Sequence, residues 1–264
     1  MSEIWIPDAG RAVLRLSGPE ARDFLQDLVT NDLRGLDRER LVYAALLTPQ
    51  GKYLFDFFVG LDGDDLLIDV AEDRAAALAQ RLSLYRLRRK VEIAATDLRV
   101  GLWTGAEAPA GARADPRDAA LGWLVWGAPP PAPAWARGAS MAAWDALRVR
   151  RGVPETGAEL VPDETYILEA GFERLHGVDF RKGCYVGQEV TARMKHKTEL
   201  KKGLVRVSVE GEAAPGAAVE TDGKPAGTLF TVAGGEGLAH LRFDRAGGEM
   251  RAGAAVVRVI SPVG

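Results

Sequence analysis

The chain reads as an α+β protein that ends in a small antiparallel β-rich unit. Three features carry this reading. Strand-like and helix-like runs mix over the first two thirds without the regular alternation of a parallel βαβ sheet. A proline-rich stretch, "GAPPPAPAWARG", interrupts them, since its prolines exclude helix and favour extended backbone. After Lys202 the runs become short, β-rich and divided by glycine turns, the pattern of a small barrel or sandwich.

In chain order, "RAVLRLSG" predicts a short strand. Ser17 and Gly18 then offer a cap, with Pro19 at the first helical position and Phe24, Leu25 and Leu28 on one apolar face. That helix ends near "TND". "LVYAALLT" and "YLFDFFVG" predict two strands around the turn "PQGK", and "LDGDD" turns the chain into a third, "LLIDV". Asp73 is placed to cap a helix through "RAAALAQRLSLYRL", after which "KVEIAA" is extended again. Ser140 caps "MAAWDALRVRRG", which Gly152 and Pro154 stop. "GLVRVSVEG", "AAVETDGK", "GTLFTVAGG" and "AVVRVI" supply the terminal strands.

At 264 residues the chain has room for two domains or three compact lobes. A net charge of −3 excludes a global basic field of the kind that binds nucleic acid non-specifically. One cysteine excludes an intramolecular disulfide and fits a reducing compartment. "MSEIWIPDAG" lacks a basic segment followed by an apolar one, and no apolar run approaches the ~20 residues of a membrane helix. A cytoplasmic protein without a membrane partner is the expectation.

Several motifs fail on spacing. "TPQGKY" has Tyr53 where a phosphate-binding loop needs Ser or Thr, and "DGDD" lacks the alternating ligands of a calcium loop. His176, His196 and His240 show no paired zinc spacing, and no G-x-S-x-G elbow is present. Two basic clusters remain. "YRLRRK" holds Arg86, Arg88, Arg89 and Lys90, and "RMKHKTELKK" holds Arg193, Lys195, Lys197, Lys201 and Lys202. Either alone reads as a solvated face; together they suit an anion carrying several carboxylates. With few interleaved aromatics, nucleic acid is not the expected partner.

The sole thiol lies in "DFRKGCYVGQEVTARMKHK". A lone cysteine is most often a buried small hydrophobe. Here Gly183 and Gly187 permit a tight path, and helical spacing follows through Val186, Val190 and Met194. Cys184 is therefore expected just before a helix N-terminus beside Arg181 and Lys182, features that favour a thiolate. Such a group serves as a nucleophile, a redox sensor, or one ligand shared across a transient interface. No metal of the protein's own is expected, since one thiol falls short of the roughly four ligands a cluster takes.

"KGCYVGQEV" resembles the signature of the YgfZ-type folate-binding proteins, whose mitochondrial relatives act in iron–sulfur assembly. "FLQDLVTNDL", "QGKYLFDF", "LYRLRRKV" and "RRGVPETG" follow that family's order, so the resemblance spans residues 16–202. It implies a fold similar to the T protein of the glycine cleavage system, a three-lobed ring around a folate channel. The chain then divides into a first α+β lobe at 1–45 with 137–200, a second at 46–128, a linker at 129–136 and a barrel at 201–264.

The resemblance also implies roles. Cys184 is the central group, with Lys182 and Arg181 tuning it and Gln188 and Glu189 orienting the turn or the ligand; Gly183, Tyr185 and Gly187 complete the motif. Asn31 and Asp32 match the "TND" element. Two departures count against aminomethyl transfer: Arg150 stands where the transferase has a pterin-holding glutamate, and Phe55 leaves only Asp56 of an acidic pair. Tetrahydrofolate, with or without a polyglutamate tail, is expected on Asn31, Asp32, Asp56, Arg88, Arg150, Glu164 and Arg193. The implied function is a folate-binding accessory factor that works on iron–sulfur carrier or client proteins. A one-carbon transferase and a non-catalytic RNA- or protein-binding module are the alternatives.

Overall fold

The computed structural model describes residues 4–127, 140–197 and 199–263. The expected linker at 129–136 and the side chain of Lys197 lie outside the described residues. The elements, in order, are β1 (Trp5–Ile6), β2 (Arg11–Ser17), α1 (Ala21–Gln26), β3 (Val42–Leu47), β4 (Tyr53–Asp62), β5 (Asp65–Ala71) and α2 (Glu72–Arg86). Next come β6 (Glu92–Ala95), β7 (Arg99–Trp103), β8 (Ala112–Ala114), β9 (Trp123–Gly127), α3 (Met141–Arg150) and α4 (Gln188–Lys197). The last part holds β10 (Lys202–Glu210), β11 (Ala218–Thr221), β12 (Lys224–Ala233), β13 (Glu236–Arg242), β14 (Met250–Ala252) and β15 (Ala255–Pro262).

A five-stranded sheet in the order β3-β4-β5-β2-β6 is the centre of the body. Nine of the ten residues of β4 are buried, so this strand is covered on both faces. Successive side chains point to opposite faces of a strand. Phe55 and Phe57 accordingly join Leu14, Phe24, Leu25 and Leu82 under α1 and α2. Phe58 joins Tyr43, Leu102, Leu124, Trp144 and Phe172 on the other side. Asp56, in phase with Phe58, shares that second side and is itself buried. The second face packs against a four-stranded sheet, β1-β7-β9-β8, and against α3.

Two helix starts differ from expectation. Helix α1 begins at Ala21, leaving Pro19 in the preceding turn, and α2 begins at Glu72, so Asp73 lies in its first turn rather than at its cap. Ser140 does cap α3, its Oγ accepting from Ala143 N at 3.4 Å. The lobe boundary expected between residues 45 and 46 falls inside β3, whose pairing with β4 runs from Val42 to Leu47.

The C-terminal strands close a six-stranded antiparallel barrel in the order β10-β13-β12-β11-β14-β15. Val205, Val207, Leu229, Leu241 and Val257 fill it. The barrel is fastened to the body through α3. Buried Arg148 donates to Glu159 Oε2 at 2.9 Å and to Thr231 Oγ1 of β12 at 2.7 Å, while Leu204 N donates to Glu169 O at 2.7 Å.

Candidate functional site

Cys184 is exposed, four residues ahead of α4. The loop beneath it is tied down at several points. Lys182 is buried, and its ammonium donates to the main-chain oxygens of Gln26 at 2.6 Å, of Asn31 at 3.1 Å and of Val29. All three donors of the ammonium are thereby engaged by the end of α1 and the loop after it. Burial pulls Lys182 down to about 8, against the opposing pull of Asp32 and Asp27. The neighbouring Arg181 side chain is 96% exposed and, among the described residues, pairs with Asp179 at 3.9 Å. The two cations expected to tune the thiol thus stand in different surroundings. Lys182 anchors the loop, and Arg181 stands in solvent.

The "TND" element is the other half of this anchor. Buried Thr30 donates through Oγ1 to Gly177 O at 2.7 Å and accepts from Ala45 N at 2.8 Å. Asn31 Nδ2 donates to Tyr43 O at 2.8 Å and His176 O at 2.6 Å, and its Oδ1 accepts from Asp32 N at 2.9 Å. Arg34 hydrogen-bonds Asp32 and holds its carboxyl down at about 2. Asn31 thus braces the thiol-bearing loop and Asp32 holds the turn beside it; neither lines the cavity described below.

Two glycines bring a turn against this loop. Gly187 has φ +83°, and a Cβ there would lie 2.6 Å from Thr48 O. Gly51, with φ +75°, would meet Val190 at 2.8 Å. The "PQGK" hairpin turn therefore packs on the start of α4. Gly183 has open space around its Cα and no left-handed backbone, so only Gly187 of the motif's glycines is dictated by geometry. Tyr185 is buried, with Lys182 Nζ 5.3 Å from its ring centre, and burial pushes its phenol up to about 12. Gln188 and Glu189 open α4, with Gln188 N donating to Tyr185 O at 3.3 Å.

A separate cavity of about 190 Å³ lies on the inner face of β4. Asp56 is at its base, accepting from Tyr43 OH at 2.9 Å, from Tyr53 OH at 2.8 Å and from Thr156 Oγ1. Burial, reinforced by Asp56, pushes both phenols well above their usual range, so both stay protonated donors. Arg11, Arg117, Phe58, Trp144 and Glu155 also line the cavity. Arg11 is paired with Asp69 and Arg117 with Asp115. Burial acts to lower Arg117, but Asp115 overcomes it and the guanidinium titrates above its usual range.

Of the residues expected to hold folate, only Asp56 reaches this cavity. Arg150 lines a different one, of about 410 Å³, beside Ile4, Thr104 and Leu147. Glu164 lines a third, near the barrel, with Glu169, Lys202 and His240. Arg88 is exposed beyond the end of α2, next to Leu87 at 86% exposure, while Arg89 turns back to Asp27 at 2.9 Å. Arg193 is exposed on α4. The described cations of the two basic clusters are thus exposed. Glu155 and Thr156 were missed as site residues, although both lie within the quoted motif "RRGVPETG".

The fold is that of the aminomethyltransferase T of the glycine cleavage system from Bartonella henselae. The TM-score is 0.79 over 100% of this chain and 86% of that one, at 16% identity. Residues 201–263 match the family model of the CAF17 C-terminal beta-barrel domain. The iron-sulfur cluster assembly factor IBA57, mitochondrial, of Homo sapiens is 34% identical over 91% of this chain and 78% of its own length. The mouse protein of the same name is 32% identical over 89% and 76%. The chain belongs to the IBA57 family. These relatives carry iron–sulfur assembly in their names and not folate, so family membership reaches the assembly factors and not the YgfZ-type folate binders specifically. They also overturn the expected cytoplasmic location, since they are named as mitochondrial proteins.

Proposed function

We propose that this IBA57-family chain assists the assembly of iron–sulfur clusters in partner proteins, with Cys184 as the group that meets the cluster. The observation that carries this reading is an exposed thiol on a loop that the buried Lys182 ties to the body. A cluster takes about four protein ligands, so Cys184 supplies one and a carrier or client protein supplies the others. A rigid mount suits this task, because ordering a flexible loop on binding would cost affinity.

Tetrahydrofolate is the small molecule proposed for the cavity around Asp56. Carboxylates, guanidiniums and aromatic walls match the polar edge and flat faces of a pterin. At about 190 Å³ the cavity is smaller than the roughly 300–1,000 Å³ that encloses a drug-sized ligand. It therefore takes the ring and leaves the tail outside. Asp56, Glu155, Arg11 and Arg117 would hold the ring, and bound folate would supply one-carbon or redox chemistry of its own.

The test of the thiol's role is Cys184→Ala in cells lacking the resident family member. Expected is loss of iron–sulfur enzyme activity, with a melting temperature within about 2 °C of the parent, as for a surface substitution. An alanine variant that restores the enzyme would overturn the reading.

A further inference from the structure

Three carboxylates line the cavity; Asp73 is exposed in the first turn of α2, and Asp56 and Glu155 differ in what already occupies them. Asp56 receives three hydroxyls, from Tyr43, Tyr53 and Thr156. Glu155 receives one side-chain donor, Trp144 Nε1, on Oε1 at 2.9 Å. Its Oε2 stands 3.7 Å from Arg148 Nε, an ion pair beyond hydrogen-bond range. A carboxylate offers about four acceptor sites, so most of those on Glu155 stay open among the described residues. The two guanidiniums at the cavity are complementary. Arg11 and Arg117 each commit Nε and Nη2 to Asp69 and Asp115, which leaves Nη1 uncommitted among the described residues.

The backbone explains how Glu155 gets there. Helix α3 ends at Arg150, and Gly152, with φ +63°, reverses the chain as Val153 N returns to Arg148 O at 2.8 Å. Glu155 N is then fixed by Glu159 Oε2 at 3.0 Å. Arg150 faces another cavity, and the residue five places on takes the position over Asp56.

We infer that Glu155 is the acceptor for a planar ring whose edge carries adjacent N–H and NH2 donors, with Arg11 and Arg117 placed for the ring carbonyl. That edge is the 2-amino-4-oxopyrimidine shared by pterins and guanine, and the inference rests on the folate reading of this cavity. An acceptor of this kind binds such an edge in a bidentate, charge-assisted way. It discriminates strongly against a ring lacking one donor, because the open carboxylate sites are then left unpaired.

The test titrates the purified full chain, under reducing conditions, with tetrahydrofolate, with its analogue lacking the 2-amino group, and with guanosine. Expected is a Kd for tetrahydrofolate roughly 10- to 100-fold below that of the analogue. In Glu155→Gln, checked for an unchanged melt, that preference falls to near one. Arg150→Glu should leave it intact. The analogue on the parent chain tests the same contact without any variant, should the Gln form fold poorly. Guanosine bound in place of tetrahydrofolate, with the same dependence on Glu155, would keep the acceptor and overturn the folate reading. Tetrahydrofolate bound equally by parent and Glu155→Gln, with the preference kept, would overturn the acceptor and keep the folate reading. No binding of any of the three would overturn both.

Discussion

Around Cys184 the hydrogen bonds of Lys182 run inward, from loop to body, and the thiol faces solvent. Around Asp56 they run toward a shared void, where hydroxyls, carboxylates and guanidiniums converge from β2, β3, β4 and the loop after α3. The first arrangement positions one group for a partner outside the chain. The second presets several groups for something small enough to come in. The thiol-bearing loop and the cavity are thus separate arrangements, and they should fail separately. Substitutions in the anchor should move stability and the presentation of Cys184. Substitutions in the cavity should move ligand preference.

The largest effect is expected at Lys182. Lys182→Ala leaves three main-chain carbonyls without their donor, two of them under short contacts in a buried site. An unsatisfied buried acceptor costs about 1–3 kcal/mol, so a loss of roughly 2–4 kcal/mol is expected by denaturant titration. The pH dependence sharpens this. With the folded ammonium down at about 8 and the unfolded one near 10.5, the unfolded chain binds more protons between those values. Stability contributed by this group therefore rises with pH across that window, and Lys182→Met should flatten the rise.

Next in size is a pair of glycines three residues from the thiol on one side and one residue on the other. Gly187→Ala forces a Cβ onto Thr48 O at 2.6 Å from a left-handed backbone. Conformation alone costs about 1–2 kcal/mol, before the clash is relieved. Gly183→Ala meets nothing within 4 Å and should stay within about 0.5 kcal/mol. Equal losses in thermal melts would mean that the loop is packed differently from this account.

These contrasts show what the sequence could reveal. Period-two patterning, turn glycines and the change of texture after Lys202 located most of the long strands and the barrel, because those signals are local. Trp5–Ile6 and the strands between residues 99 and 127 were not read, being too short for periodicity to speak. The roles of Lys182 and Glu155 were hidden for another reason. Lys182 stands two residues before Cys184 in the chain but finds its partners at Gln26, Val29 and Asn31, about 150 residues away. Glu155 sits in a quoted motif, yet only the reversal at Gly152 shows that it, and not Arg150, meets the cavity. Side-chain direction after a turn is a property of tertiary packing.

The smallest effect is expected at Arg181, and it isolates the comparison best because Arg181 and Lys182 are adjacent cations. If charge near the thiol were what mattered, removing either should slow alkylation of Cys184. The geometry separates them. Arg181 is 96% exposed and 3.9 Å from Asp179, so water and salt screen it. Arg181→Ala should change stability by less than about 0.5 kcal/mol and the iodoacetamide rate at fixed pH by no more than about twofold. Lys182→Met should alter the rate through loosening of the loop, seen as faster amide exchange at residues 182–187, whereas Arg181→Ala should leave exchange there unchanged. A large fall in the alkylation rate for Arg181→Ala, with protection intact, would restore electrostatic tuning as the reason for the basic pair.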